Sequence, residues 1–450
     1  MTKKTSTQTA FALDDNGRGI VRIDDKTIFI DNLLTGEQGE ITTIYKYGKL
    51  KEAKLEKRLT TSQDRVTPNC PYYTSCGGCN LMHLNYLQQL IYKQEKVKNL
   101  LHKFAHIDID VNPTVGMENP YHFRNKIQVP VRLNNQGEII TGFFRPNSHD
   151  IIDIDDCLIE NSQARVLLTN VKKSMKKFNI LPYDEQSHSG TVRHLIIRTS
   201  LHFEEIMLVI VTLHKDFDHR QEFIHDILTN CPQITTLVQN INSERTNVIL
   251  GKKEIICYGP GYIQDSILGK KFFISSLSFY QTNPLQTERL YSIAIDKANI
   301  SSSTRILDAY SGIGTIGICA SSKAKKVTCI EIVPSAIKDA RNNAKINNIK
   351  NIEFIEDDCT KFILNNKFNF DVVFLDPPRK GSTPEFLTAL FKSKPQCIVY
   401  ISCNPVTLAR DLTYLLKNYI ISSVTPVDMF PQSSHVETIV LLSLKDFKNK

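Results

Sequence analysis

The chain has 450 residues, 41% of them hydrophobic, and a formal charge of +8. There is no run of about 18 apolar residues, and no apolar stretch follows Met1-Thr2-Lys3-Lys4; this argues against a membrane span and a secretion signal and places the protein in the cytoplasm. The positive excess permits a polyanionic partner without requiring one. Eleven cysteines in a reducing compartment favour metal or catalytic roles over disulfides.

The length suits about three domains. Residues 1–60 read as short strands between turns: Gly17 to Ile23, Thr27 to Ile30 and Gly39 to Ile44. Lys46 to Arg58 holds six basic residues against two acidic ones. Small barrels with a basic face bind oligonucleotides, although a β-domain that binds nothing would look similar.

Residues 61–275 mix strands and helices. Cys70, Cys76 and Cys79 form C-x5-C-G-G-C, with Cys157 far along as the remaining candidate partner. On spacing alone, a zinc site, an iron–sulfur cluster and inert thiols are comparable readings. A helix is predicted over 84–104, with Leu87, Leu90, Ile91, Val97, Leu100 and Leu101 as a packing stripe that could lie on the C-terminal domain. Arg124 and Lys126, with Arg145, interleave cations with aromatics, which suits single-stranded RNA and equally an ordinary surface strand. Leu195–Ile197 and Ile206–Leu213 read as apolar strands and His219–Thr229 as a helix.

Residues 276–450 are regular. Apolar strands at 305–307, 327–332, 352–355, 371–375 and 398–401 alternate with helical stretches, the pattern of a doubly wound parallel sheet. Strands near 420–427 and 438–444 have no helix between them, so the last strand should run antiparallel. The loop from Asp308 to Gly317 fits G-x-G-x-x-G, and Glu331 follows Gly312 by 19 residues, placed to accept from ribose hydroxyls. Those features alone fit either NAD or S-adenosylmethionine. Asp376-Pro377-Pro378-Arg379 ends the fourth strand; Arg379, where amino methyltransferases of adenine and cytosine carry an aromatic, argues against their chemistry. Cys403 leaves the fifth strand before Pro405, which cannot continue it. If the last strand inserts beside the fifth, as in methyltransferases of this class, Glu437 starts at the edge where Cys403 ends. A core cysteine and a solvated carboxylate are the plainer readings of these two residues.

Phe279 to Pro284, Tyr310 to Gly314, Leu375 to Arg379, Ser402 to Pro405 and His435 to Glu437 together resemble, in order, the motifs of the RNA uracil-5-methyltransferases of the RumA type. The resemblance covers nearly the whole chain. It implies an α/β multidomain protein: an N-terminal OB-like TRAM β-barrel, a mixed α+β central domain with an iron–sulfur cluster, and a C-terminal Rossmann-like class I methyltransferase sheet. It implies Cys403 as nucleophile and Glu437 as base. Gln281, Tyr310, Glu331 and Asp376 would line the S-adenosylmethionine site, with Asp358 near the adenine. Phe279 would stack on the flipped base, and Arg124 and Lys126 would contact RNA. Cys70, Cys76, Cys79 and Cys157 would hold a [4Fe-4S] cluster. Ser311 stands where relatives often carry cysteine. The favoured substrate is 23S ribosomal RNA and the protein a monomer, with the T-loop uridine of transfer RNA as the alternative. A non-catalytic RNA-binding module is the competitor from another class; only an enzyme would trap an adduct with 5-fluorouracil RNA. The remaining cysteines, at 231, 257, 319, 329, 359 and 397, read as core.

Overall fold

The computed structural model describes residues 2–445 except 48, 147, 367 and 368. Two three-stranded sheets fill the N-terminal stretch. One pairs Thr2–Thr9, Gln38–Lys46 and Lys49–Arg58; the other pairs Ala12–Leu13, Gly19–Ile23 and Lys26–Ile30. Val21, Ile28, Ile30, Leu33 and Ile41 form their shared core. The basic run Lys49–Arg58 is a strand in its own right, half-buried at Leu50, Ala53, Leu55 and Arg58 and exposed elsewhere, as a sheet edge with one wet face requires.

The central sheet has seven strands, in the order Lys253–Tyr258, Ile234–Ile241, Ile206–Thr212, Val192–Thr199, Lys126–Leu133, Ile139–Phe144, Ile151–Asp153. Helices Ser162–Lys177 and Arg220–Asn230 cover one face through Leu167, Val171, Phe223 and Ile227. The other face sends Ile196, Val209 and Val238 into a core shared with the C-terminal sheet. That shared core also takes Ile263, Ile267, Phe272 and Ile274 of the hairpin Tyr262–Ser275, so apolar packing runs on across residue 275.

The C-terminal sheet also has seven strands, in the order Ile352–Glu356, Lys326–Glu331, Arg305–Ala309, Val372–Leu375, Cys397–Ser402, Glu437–Leu444, Tyr419–Val427. The first five are parallel; Glu437–Leu444 is antiparallel to both neighbours, as its predicted place requires. Side-chain direction alternates along each strand. Ile306, Phe374 and Val399 face one core, while Leu307, Leu375 and Tyr400 face the other. Both faces are therefore covered by helices, which is why these strands are near-continuous apolar runs.

The helix predicted at 84–104 spans Tyr86–Ala105 and packs Val97 and Leu101 against Leu408 and Leu412 of helix Pro405–Leu415. Its predicted stripe is only partly the packing face. Leu87 is 72% and Ile91 48% exposed, whereas Gln89 and Lys93 are fully buried. Both buried polar groups find partners in the loop after Val427, and those partners rotate the helix away from the purely apolar solution.

Candidate functional site

At the carboxyl edge of the parallel strands lies a cavity of about 950 Å³. It is lined by Phe279, Gln281, Tyr310, Gly312, Glu331, Asp376, Arg379, Cys403, His435 and Glu437 among others. An open α/β sheet binds ligands at this edge, because the loops leaving its parallel strands all open there.

Each side chain is placed by local chemistry. After Ala309 the chain turns with Tyr310 in the left-handed region at φ 64°, its ring 5.5 Å from that of Phe386. Gly314 starts the next helix at φ +80°, and an added Cβ would meet Phe354 at 2.9 Å. Gly317 lets that helix approach the sheet: its N–H donates to Asp308 Oδ2 at 2.8 Å, and a Cβ there would meet Cys329 Sγ at 2.5 Å. Glu331 accepts from Gly312 N at 3.0 Å and Val333 N at 2.9 Å, which fixes its carboxylate at the strand end while leaving lone pairs toward the cavity.

Cys403 follows directly on the strand Cys397–Ser402. The next helix begins at Pro405, with Asn404 as its cap accepting from Val406 N at 3.1 Å. Ser402 Oγ accepts from Asn404 N at 3.2 Å and donates to Asn404 O at 3.1 Å, closing the turn around the thiol. Thr438 pairs with Ser402 in the antiparallel register, so Glu437 and Cys403 are both one residue beyond the paired edge. The buried carboxylate of Asp411 accepts from Tyr400 Oη at 2.6 Å and Ser382 N at 2.8 Å, joining the thiol's strand to the segment after Asp376.

Electrostatics set the resting state. Burial pushes the Cys403 thiol up to about 11, with the carboxylates of Glu437 and Asp376 adding to it and Arg379 opposing. Burial, then Asp376, pushes Glu437 well above the carboxylate range, again against Arg379. Burial raises Asp376 to about 7. Asp308 is also raised to about 7, by burial first and by Asp376 and Glu331 after it, against the Gly317 N–H. Arg379 and Arg124 are the cations of the lining, against the carboxyl groups of Asp308, Glu331, Asp376 and Glu437. Glu437 rests protonated, and a cationic ligand beside it favours the ionised form that a base must have.

Other predicted residues fall elsewhere. Phe279 lines the cavity and is 68% exposed. Arg124 lines the cavity, but Lys126, Arg145 and Asp358 do not. Lys126 stands opposite Arg198 in the central sheet, where burial, Arg198 and Arg124 push its ammonium down to about 7. Arg145 belongs to the turn at the end of strand Ile139–Phe144, its N–H donating to Asp150 O. Asp358 caps helix Cys359–Asn365, Oδ1 accepting from Thr360 N and Lys361 N, so local helix capping uses this carboxylate. Phe123, Phe430, His435 and Asp308 are among the lining residues to which sequence reasoning assigned no site role. Asp308 is the penultimate residue of strand Arg305–Ala309, two residues before the turn at Tyr310, a position that could have flagged it. The His435 ring stands edge-on to Phe430 at 6.0 Å.

The thiols of Cys70, Cys76, Cys79 and Cys157 are free and partly buried. Burial raises the Cys79 thiol, and Cys157, Cys76 and Cys70 raise it further, so all four share one neighbourhood although Cys157 is distant in sequence. Among the described residues, no three His, Cys, Asp or Glu side chains are arranged to hold a metal ion. Four thiols are the donor set of a thiolate-bound group. Gly77 and Gly78 of this segment line the same cavity. Of the six cysteines read as core, Cys231, Cys319, Cys329 and Cys359 are buried, while Cys257 and Cys397 are half-buried.

Comparison with known proteins agrees with this architecture. Over 447 residues the chain is 44% identical to an RNA methyltransferase of Staphylococcus aureus (strain MSSA476), covering 98% of each chain. It is 41% identical to one of Clostridium tetani over 454 residues, covering 100% of this chain and 98% of the relative. In structure it resembles the Pyrococcus abyssi tRNA (uracil-54, C5)-methyltransferase in complex with S-adenosyl-L-homocysteine. That likeness has a TM-score of 0.77 and 26% identity, and covers 97% of this chain and 99% of the other. Residues 85–445 match the family model described as tRNA (Uracil-5-)-methyltransferase, and the chain belongs to that family of RNA uracil-5-methyltransferases.

Proposed function

We propose that this protein methylates C5 of a uridine in 23S ribosomal RNA, working in the cytoplasm as a monomer. The observation that carries the chemistry is the register of Ser402 with Thr438, which sets a thiol and a carboxylate side by side over one cavity. Uracil C5 is a weak nucleophile. Addition of the Cys403 thiolate to C6 moves the ring electrons toward O4 and makes C5 reactive. S-adenosylmethionine, when bound, supplies the methyl group as an electrophile. Glu437, in its ionised form, then takes the C5 proton; the C5–C6 double bond re-forms and the Cys403–C6 bond breaks. The target base must leave its stack, and Phe279 offers it a face.

The cavity fits the methyl donor: a glycine turn for close backbone approach, Glu331 for ribose hydroxyls, and Gln281, Tyr310 and Asp376 along the walls. Cys70, Cys76, Cys79 and Cys157 are the residues we assign to a [4Fe-4S] cluster. It would order the segment that carries Gly77 and Gly78 against the cavity. The N-terminal sheets, with their basic strand Lys49–Arg58, are the proposed TRAM module for RNA, and Arg124 adds a cation to the cavity lining.

A second reading is the T-loop uridine of transfer RNA, favoured by the likeness to a tRNA (uracil-54, C5)-methyltransferase. Mapping 5-methyluridine in ribosomal and transfer RNA from a strain lacking the gene decides between them. Loss of a 23S position supports the first reading, and loss at the T-loop the second. Retention of every position defeats both.

A further inference from the structure

Glu437 is introduced by the connection 428–436, which has no regular secondary structure. Gln432 within it takes φ 69°, a strained conformation for a residue with a side chain. The connection is held largely from outside its own sheet. Lys93, fully buried, makes an ion pair with the fully buried Asp428 and donates to Phe430 O at 3.1 Å. Tyr86 Oη donates to Asp428 Oδ2 at 2.8 Å. Gln89 Nε2 donates to Gln432 Oε1 at 3.0 Å, and Gln432 N returns a bond to Gln89 Oε1 at 3.1 Å. Leu81 N donates to Gln432 O at 3.0 Å.

Two residues reach further. Lys96 Nζ donates to Ser434 O at 2.7 Å and to Asp15 O at 2.7 Å. Asn80 Nδ2 donates to Ser434 Oγ at 3.0 Å and to Asn16 O at 2.6 Å, while its Oδ1 accepts from Ser434 N at 2.8 Å. Ser434 is three residues before Glu437. One turn of the N-terminal sheets, Asp14 to Gly17, is thereby bonded through two side chains to the connection that aims the carboxylate.

We propose that Lys96 and Asn80, backed by the Lys93–Asp428 pair, are positioning residues for Glu437, tying it to the N-terminal module. They act on the step Glu437 carries, removal of the C5 proton and release of Cys403, and leave the addition of Cys403 to C6 unaffected. This rests on Glu437 being the base. Lys96 is half-buried and bonds only backbone oxygens, so Lys96→Met keeps the core intact.

The test uses full-length protein and total RNA from a strain lacking the gene, in native and 5-fluorouridine-substituted form. Lys96→Met and Asn80→Ala should trap fluorouridine RNA within about threefold of the wild-type rate. On native RNA they should accumulate a covalent protein–RNA adduct and turn over about 10- to 100-fold more slowly, as expected when a reacting group is displaced by a fraction of an ångström to an ångström. Lys96→Arg, which keeps two donors, should restore release. Wild-type turnover in both variants overturns the proposal, as does a parallel slowing of trapping and release. Should Lys96→Met fail to fold, Asn80→Ala alone decides by the same comparison. If Glu437→Gln accumulates no adduct on native RNA, the base assignment fails instead, whatever the tethers do.

Discussion

Thr438 is the register partner of Ser402, and this one pairing puts Glu437 and Cys403 at the same end of neighbouring antiparallel strands. A slip of one residue would turn Glu437 to the other face of the sheet. The pairing is protected by its place in the interior, since Ile401 packs in one core and Val440 in the other.

Replacing either residue separates the two halves of the reaction. Cys403→Ala should abolish both methylation and adduct formation. Glu437→Gln should allow adduct and methyl transfer but stall release, a loss of about 100-fold or more in turnover. Gel shifts under denaturing conditions and methyl incorporation measure the two outcomes; normal turnover by Cys403→Ala would end the mechanism.

Adduct formation should rise with pH. With the Cys403 thiol held at about 11, the thiolate fraction grows through the whole neutral and mildly alkaline range. Trapping of 5-fluorouridine RNA should therefore quicken from pH 7 to pH 9 without a plateau. Arg379→Ala removes the cation that opposes this rise and should slow trapping at pH 7.5 by about 3- to 10-fold. A flat profile would show that the thiol is activated by some other group.

Asp308 should make stability fall as pH rises. Its folded value is raised to about 7 from an unfolded 3.8, so the folded chain holds a proton that the unfolded chain has lost between those limits. Its contribution is full below about pH 4 and is lost as pH climbs through about 7. Asp308→Asn should flatten this component, so that the variant gains in Tm relative to wild type between pH 5 and pH 7.5. Parallel melting curves for the two proteins would refute it.

Lys93→Met leaves the Asp428 carboxylate buried without a counter-charge. It should cost about 3–5 kcal/mol in chemical denaturation, and the double change with Asp428→Leu should recover most of that. Equal stability of the single and double variants would show that the pair is not the anchor.

Anaerobically purified protein should contain iron and sulfide in equal amounts, and Cys157→Ser should lose them. Stoichiometric zinc with no sulfide would replace the cluster assignment with a structural metal site.

Much of the catalytic half was legible because buried parallel strands must be apolar and their ends must carry the chemistry. Cys403 and Asp376 could be placed at strand ends from the apolar runs, and Glu437 beside them once the last-strand insertion of class I methyltransferases is assumed. The helix Tyr86–Ala105 could not be rotated correctly, since nothing near Gln89 or Lys93 in sequence announces partners more than 300 residues away. The strand Lys49–Arg58 read as a charge run because an edge strand with one wet face needs few apolar residues. Asp358 is named through the resemblance and Lys126 through its place among cations and aromatics. The structure sets Asp358 at a helix cap and Lys126 opposite Arg198, both outside the cavity lining.

Asp411 joins Tyr400 on the nucleophile's strand to Ser382, beyond the Asp376 loop. Asp411 is fully buried and is not part of the cavity lining, yet its one carboxylate ties together the two strand exits that carry Cys403 and Asp376. A change at Asp411 would therefore reach both sides of the cavity without touching anything bound in it.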